Sequence, residues 1–173
     1  LVLDLLEKGL VTDQVVLSVG YDRESITPDF KGAAASDWYG RKVPKPAHGS
    51  EHIGRLTSST RLIMDAMLRL YDRIVDPSLL VRRMYVATNH VVSSDSVLDE
   101  DGSFEQMDLF GDCEAAQRLK EVEEAALSRE KRLQQAMLSI RRRYGKNSIL
   151  HGTSYQDGAT GRERNEQIGG HKK

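Results

Sequence analysis

The sequence predicts an α+β fold whose elements follow the order β-α-β-β-α-β less its first strand, continued by an acidic linker and a long helical tail. Three observations predict it. Val15, Leu17, Val19 and Tyr21 alternate with smaller or polar residues, the period-2 pattern of a strand with one apolar face. From Thr60 to Pro77 the pairs Leu62/Ile63, Ala66/Met67, Leu70/Tyr71 and Ile74/Val75 recur every four positions, as on a helix that lies against a sheet. After Val92 the chain turns rich in Ser, Asp and Gly, then becomes a run of helix formers from Cys113 to Tyr144.

Taken in order, LVLDLLEKG has Leu1, Leu3, Leu5 and Leu6 followed by Gly9 in the place of a helix stop. It reads as the end of a helix, so the chain is expected to begin inside a domain. Residues 12–21 form the first strand. Residues 22–46 hold Pro28, Pro44 and Pro46 and read as a long basic loop, leading to a second strand at 47–57. Ser58, Ser59 and Thr60 are capping candidates for the amphipathic helix, which Pro77 closes. VRRMYVATNHVV, residues 81–92, is the next strand. With a strand ahead of Leu1 the sheet would carry both helices on one face and leave the other free. The expected division is therefore a sheet domain at 1–92, an acidic linker at 93–112, a helix at 113–144 and a basic Gly-rich tail at 145–173. The apolar stripe of the long helix, Leu119, Val122, Ala126, Leu133, Met137, Ile140 and Tyr144, is narrow, so this helix is either solvated or docks on a partner.

Composition narrows the function. A chain of 173 residues with 39% apolar content can hold one compact domain plus appendages. No apolar run approaches the roughly 20 residues of a membrane span and no signal-peptide pattern opens the sequence, so a cytoplasmic protein with no membrane association is expected. Cys113 stands alone and cannot form an internal disulfide, and His48 with His52 is the single close histidine pair, too little for zinc to be expected. The net charge of −1 conceals a partition into +1 over residues 1–92, −9 over 93–130 and +7 over 131–173. Within the first segment Lys31, Arg41, Lys42, Lys45, Arg55 and Arg61 face Asp37 and Glu51, a footprint suited to a polyanion.

The linker contains QMDLF, residues Gln106, Met107, Asp108, Leu109 and Phe110, an apolar pair set among acids. It resembles the bacterial sliding-clamp-binding pentapeptide, in which Gln precedes an aliphatic residue, Asp or Ser, and Leu-Phe. A flexible tether can deliver Leu109 and Phe110 into an apolar cleft while the Gln106 amide pairs at its rim. The alternative is that Leu109 and Phe110 staple the following helix onto the domain.

A wider resemblance runs through LVLDLLEKGLVTDQVVLSVGYD, YGRKVPKPAHGS, TSSTRLIMDAMLRLYDRIVD, LLVRRMYVATNHVV, QMDLF and the ending RRYGKNSIL with GATGRERNEQIGGHK. In this order they are similar to the C-terminal portion of UmuC-like (ImpB/MucB/SamB) Y-family DNA polymerases, over essentially the whole chain. The resemblance implies a little-finger domain of β-α-β-β-α-β order that grips damaged DNA, then a clamp-binding tail, in translesion synthesis and DNA repair within the SOS response. It implies a nucleoid-associated bacterial protein. The family's palm carries the carboxylates that hold Mg²⁺ for nucleotidyl transfer; nothing here matches it, so this part alone is expected to have no catalytic residue, no metal and no cofactor of its own.

Gripping DNA without reading bases calls for contacts to phosphate. Arg82 and Arg83 match the paired arginines that open the family's last little-finger strand, and with Lys42, Lys45, Arg55 and Arg61 they are the candidate DNA contacts. Two other readings remain open. One is a non-catalytic adaptor that occupies the clamp through QMDLF and recruits a protein through its long helix. The other is an RNA-binding protein with a basic tail, which rests on the +7 of residues 131–173 and on Trp38, without a recognisable stacking platform in the sequence.

Overall fold

A computed structural model of the protein describes residues 1–97, 113–168 and 171–172. The chain divides into two compact units, Leu1–Met107 and Asp108–Lys173, each of mixed or helical structure in its own right.

The first unit is α+β. Helix α1 (Val2–Glu7) ends where Gly9 takes a φ of +64°, as the helix-stop reading of that glycine requires. Strand β1 (Leu10–Tyr21) starts two residues earlier than the alternation predicts. The stretch expected to be a long loop contains a small hairpin, β2 (Ala34–Ser36) with β3 (Lys42–Pro44), in which Ala35 pairs with Val43. Three-residue strands are too short to show a period in the sequence, which is why the hairpin was hidden there. Strand β4 (Ala47–Thr57) and helix α2 (Thr60–Ile74) follow, and the Ser59 hydroxyl caps the helix by accepting from the Leu62 N–H at 3.3 Å.

Strand β5 (Val81–Asn89) ends sooner than expected, because His90 adopts a positive φ of +50° and breaks the ladder. The chain then resumes as β6 (Val92–Ser93), which pairs with Leu10 and Val11, and a turn of helix, α3 (Ser94–Val97). Ordered elements thus continue past the expected boundary at residue 92.

The sheet is antiparallel with the order β4-β1-β5, and β6 adds to the start of β1. Both α1 and α2 pack on the face formed by Val15, Leu17, Val19 and Tyr21, where Leu5, Ile63, Ala66 and Leu70 complete the buried core. Burying each of the larger aliphatic side chains contributes about 1.5–3 kcal/mol, which makes this face the main source of the unit's stability. Gly49 lies opposite Leu17, and a Cβ placed there would come within 3.1 Å of Leu70 Cδ1 and 3.3 Å of Ile74 Cγ2. Its lack of a side chain lets α2 approach β4 closely. At the end of α2 the Tyr21 hydroxyl accepts from the Asp76 N–H at 3.0 Å, so the residue that closes the core also fixes the chain leaving the helix.

The second unit is dominated by α4 (Cys113–Tyr144), 32 residues long and stopped at Gly145, whose φ is +91°. Its bounds match the expected helix. The tail beyond is more structured than a plain loop: α5 (Gly161–Asn165) is followed by β7 (Gln167–Ile168) paired with β8 (His171–Lys172). Asn147 ties the tail together, donating to the Arg162 carbonyl at 3.2 Å and accepting from Asn165 Nδ2 at 2.7 Å.

Candidate nucleic-acid interface

Because side chains alternate along a strand, the residues between the core positions of β1 point away from the helices. These are Gln14, Val16, Ser18 and Gly20. The register sets His52 and Asn89 beside Gln14, Ser50 and Ala87 beside Val16, His48 and Tyr85 beside Ser18, and Arg83 beside Gly20. The rows are joined by hydrogen bonds: Asn89 Nδ2 donates to Gln14 Oε1 at 3.1 Å, Gln14 Nε2 lies 3.1 Å from His52 Nε2, and Ser18 Oγ lies 2.6 Å from His48 Nδ1. This helix-free face is polar, pleated and built from small residues at its centre. It can meet a sugar-phosphate backbone with donors while offering little that would distinguish one base from another.

The structure divides the six candidate DNA contacts. Arg83 stands on the open face, where a Cβ on Gly20 would lie 3.0 Å from Arg83 Cγ, so the glycine leaves the space that the arginine stem fills. Its guanidinium lies 5.8 Å from the centre of the Tyr85 ring. Arg82 falls at a shift in the ladder, where Gly20 pairs with Arg83 but Tyr21 pairs with Val81. The bulge turns it aside, and it makes an exposed ion pair with Asp22 at 3.9 Å. The two arginines are therefore neighbours in different settings, a distinction hidden in the sequence.

Lys42 and Lys45 are exposed on and just after β3, next to this end of the sheet. Arg55 lies toward the far end of β4, in the irregular stretch between His52 and Thr57, and Arg61 is in the first turn of α2. At about 3.3 Å per residue, the eight steps from Ala47 to Arg55 put this second group roughly 25 Å from the first. Of the six, Arg83 is the one that the register places on the open face; Arg82, Lys42 and Lys45 lie toward the same end of the sheet, while Arg55 and Arg61 lie toward the other, Arg61 on the helix that covers the opposite face. The clamp-motif residues Gln106, Met107, Asp108, Leu109 and Phe110 lie outside the described residues.

Sequence reasoning put Arg41 in the basic footprint and Trp38 in the RNA-binding alternative, but it missed Tyr39 and did not bring the three together. Trp38, Tyr39 and Arg41 line one cleft with Arg82 and Arg83. Asp37 holds the turn that bears them; its carboxyl is kept below the ordinary carboxylate range by hydrogen bonds from the Arg41 side chain, then from the Arg41 and Tyr39 backbone N–H groups. Tyr85, Asn89 and His48 were legible in principle, since Arg83, Tyr85, Ala87 and Asn89 alternate along β5 as Gln14, Val16, Ser18 and Gly20 do along β1. No group of three or more His, Cys, Asp or Glu side chains suited to a metal occurs among the described residues. No helix among them is long and apolar enough to cross a membrane. Comparison with known proteins finds no matching family model, no matching curated relative and no matching solved structure.

Proposed function

We propose that this chain grips DNA along the open face of its sheet and docks on a sliding clamp through Gln106–Phe110, as the non-catalytic C-terminal part of a UmuC-like Y-family polymerase in translesion synthesis. The observation that carries the reading is the helix-free sheet face with Arg83 seated over Gly20 and polar rows at Ser18 and Gln14. Backbone phosphates are its partner, in a bacterial cytoplasm where the nucleoid supplies them. Mg²⁺ belongs to the family's palm, and no residue of this chain is assigned a catalytic role.

The test is a titration of primer-template duplex against the chain at several salt concentrations. Affinity falls as salt rises, because neutralised phosphates release counterions. R82E with R83E weakens binding about tenfold or more, for every sequence alike, and flattens the salt dependence by roughly one unit of slope per lost phosphate contact. Salt-independent binding, or strong sequence preference, would end this reading. For the clamp, micromolar affinity that is lost in L109A/F110A is expected, since a few buried anchors dominate such interfaces.

A non-catalytic clamp adaptor is the second reading. It is favoured by the apolar residues that α4 leaves in water: Leu119 is 72% exposed and Leu133 62%. The upstream reading frame separates the two. A palm carrying Asp and Asp-Glu motifs supports the polymerase, and a start codon near Leu1 supports the adaptor.

A further inference from the structure

The turn between β2 and β3 holds the chain's single tryptophan in water. Trp38 is 96% exposed and Tyr39 77%. Two adjacent aromatic rings left so bare would be unremarkable on a mobile loop, but this turn is tightly bound. The Asp37 carboxylate accepts from the Tyr39 N–H at 2.9 Å, the Arg41 N–H at 2.9 Å and Arg41 Nε at 2.8 Å, and pairs with Arg41 Nη2 at 2.7 Å. Gly40 supplies the left-handed residue that closes the turn, with a φ of +74°. The rings are thus presented in a preset arrangement, which lowers the ordering cost of whatever they meet.

What they meet can be read from the neighbours. Trp38, Tyr39, Arg41, Arg82 and Arg83 line a cleft of about 170 Å³ together with Gly20. Three guanidiniums line it with one carboxylate, Asp37, which Arg41 engages; Arg82 keeps a long pair of 3.9 Å with Asp22 beside the cleft, so the cationic excess lies on Arg83 and, in part, Arg82. Arg41 lies 4.9 Å from the centre of the Tyr39 ring. Flat aromatic faces interleaved with guanidinium groups match a ligand that is itself a flat ring on an anionic chain.

We propose that the Trp38–Tyr39 turn is a stacking site for an unpaired base of DNA, whose flanking phosphates pair with Arg82 and Arg83. The inference rests on the DNA-binding reading above and deepens it. Bases within a duplex already stack on one another and cannot enter, so the site selects single-stranded extensions. A primer-template junction presents both kinds of DNA at once: duplex for the sheet face and a free strand for the turn.

The chain's one tryptophan makes the test direct. The full chain is titrated with a duplex carrying a single-stranded extension and with the same duplex cut blunt, and Trp38 fluorescence is followed with affinity. The extended DNA quenches Trp38 and the blunt duplex does not. W38A weakens binding to the extended DNA about tenfold, leaves the blunt duplex within about twofold, and keeps the parent melting temperature; W38F retains most of the affinity. R82E/R83E weakens both. Binding of both DNAs with Trp38 fluorescence unchanged, or equal weakening of both by W38A, overturns the stacking site and leaves backbone gripping intact. A protein partner on the aromatic pair would give that result. No binding of either DNA overturns the stacking site together with the DNA-binding reading.

Discussion

Helices α2 and α4 share an apolar period of three to four residues, yet they meet different surroundings. Helix α2 buries Ile63, Ala66 and Leu70 to 2% exposure or less against the sheet. Along α4 most of the equivalent stripe stays in water, with Leu119, Val122, Leu133 and Tyr144 each more than 60% exposed and Met137 half-buried. The period is what makes each segment helical; the strand face beneath is what turns one of them into a core element. A helix of 32 residues with charged flanks can persist through its own propensity and side-chain pairs. Its stripe is then available to another surface, whereas that of α2 is already spent on the fold.

The contrast can be broken most forcefully at Leu70. Leu70→Ala is expected to destabilise the first unit by about 2–5 kcal/mol, the cost of lost burial plus a cavity, while Leu133→Ala shifts stability by less than about 0.5 kcal/mol. Paired denaturant melts of the two variants check this; a comparable loss from Leu133→Ala would mean that the α4 stripe is a core face after all. A smaller effect is expected at the helix start. Ser59→Ala removes the hydroxyl that caps α2 and is expected to lower stability by about 1 kcal/mol, with Ser59→Asp recovering most of it, as read from thermal melts.

The smallest effect concerns the ions that hold α2 across β4. Glu51 lies 2.6 Å from Arg73 Nη1 and 3.5 Å from Arg69 Nε, and its carboxyl is held below the usual carboxylate range chiefly by the hydrogen bond from Arg73. A lowered folded value means that this stabilisation is present above the ordinary carboxylate range and fades as pH falls through the folded value. Glu51→Gln is therefore expected to lower the melting temperature slightly at pH 7, with the gap from the parent protein closing as the solution is acidified. A gap that stayed constant across that range would assign the effect to packing. No such link to a sheet is expected along α4, so charge substitutions on its exposed stripe should show no matching pH dependence.

Helices α2 and α4 and strands β1 and β4 were legible because their periods extend over ten residues or more, and the cap at Ser59 and the stop at Gly9 carry recognisable chemistry. The residues of α1, β1, β4 and α2 fall within two positions of the expected limits. The β2-β3 hairpin was not legible, since its strands are shorter than one full alternation of a sheet. Nor was the parting of Arg82 from Arg83, which depends on a one-residue shift in pairing with β1 that no local pattern announces. For the same reason the sequence offered Trp38 as an isolated aromatic. Its association with Arg41, Arg82 and Arg83 depends on the hairpin lying beside the end of β5, a contact between segments some 40 residues apart in the chain.

Among the described residues strand β5 is an edge of the sheet, and this has a further consequence. Its residues are exposed along nearly their whole length, and its outer row of backbone groups resembles an unfinished ladder, the template on which sheets of separate molecules join and aggregate. The two arginines near its start and the bulge at Arg82 are the devices by which natural edge strands resist this, through charge that a second copy would repel and a twist that it could not follow. Removal of both charges would leave the exposed Met84, Tyr85 and Val86 on an unguarded edge.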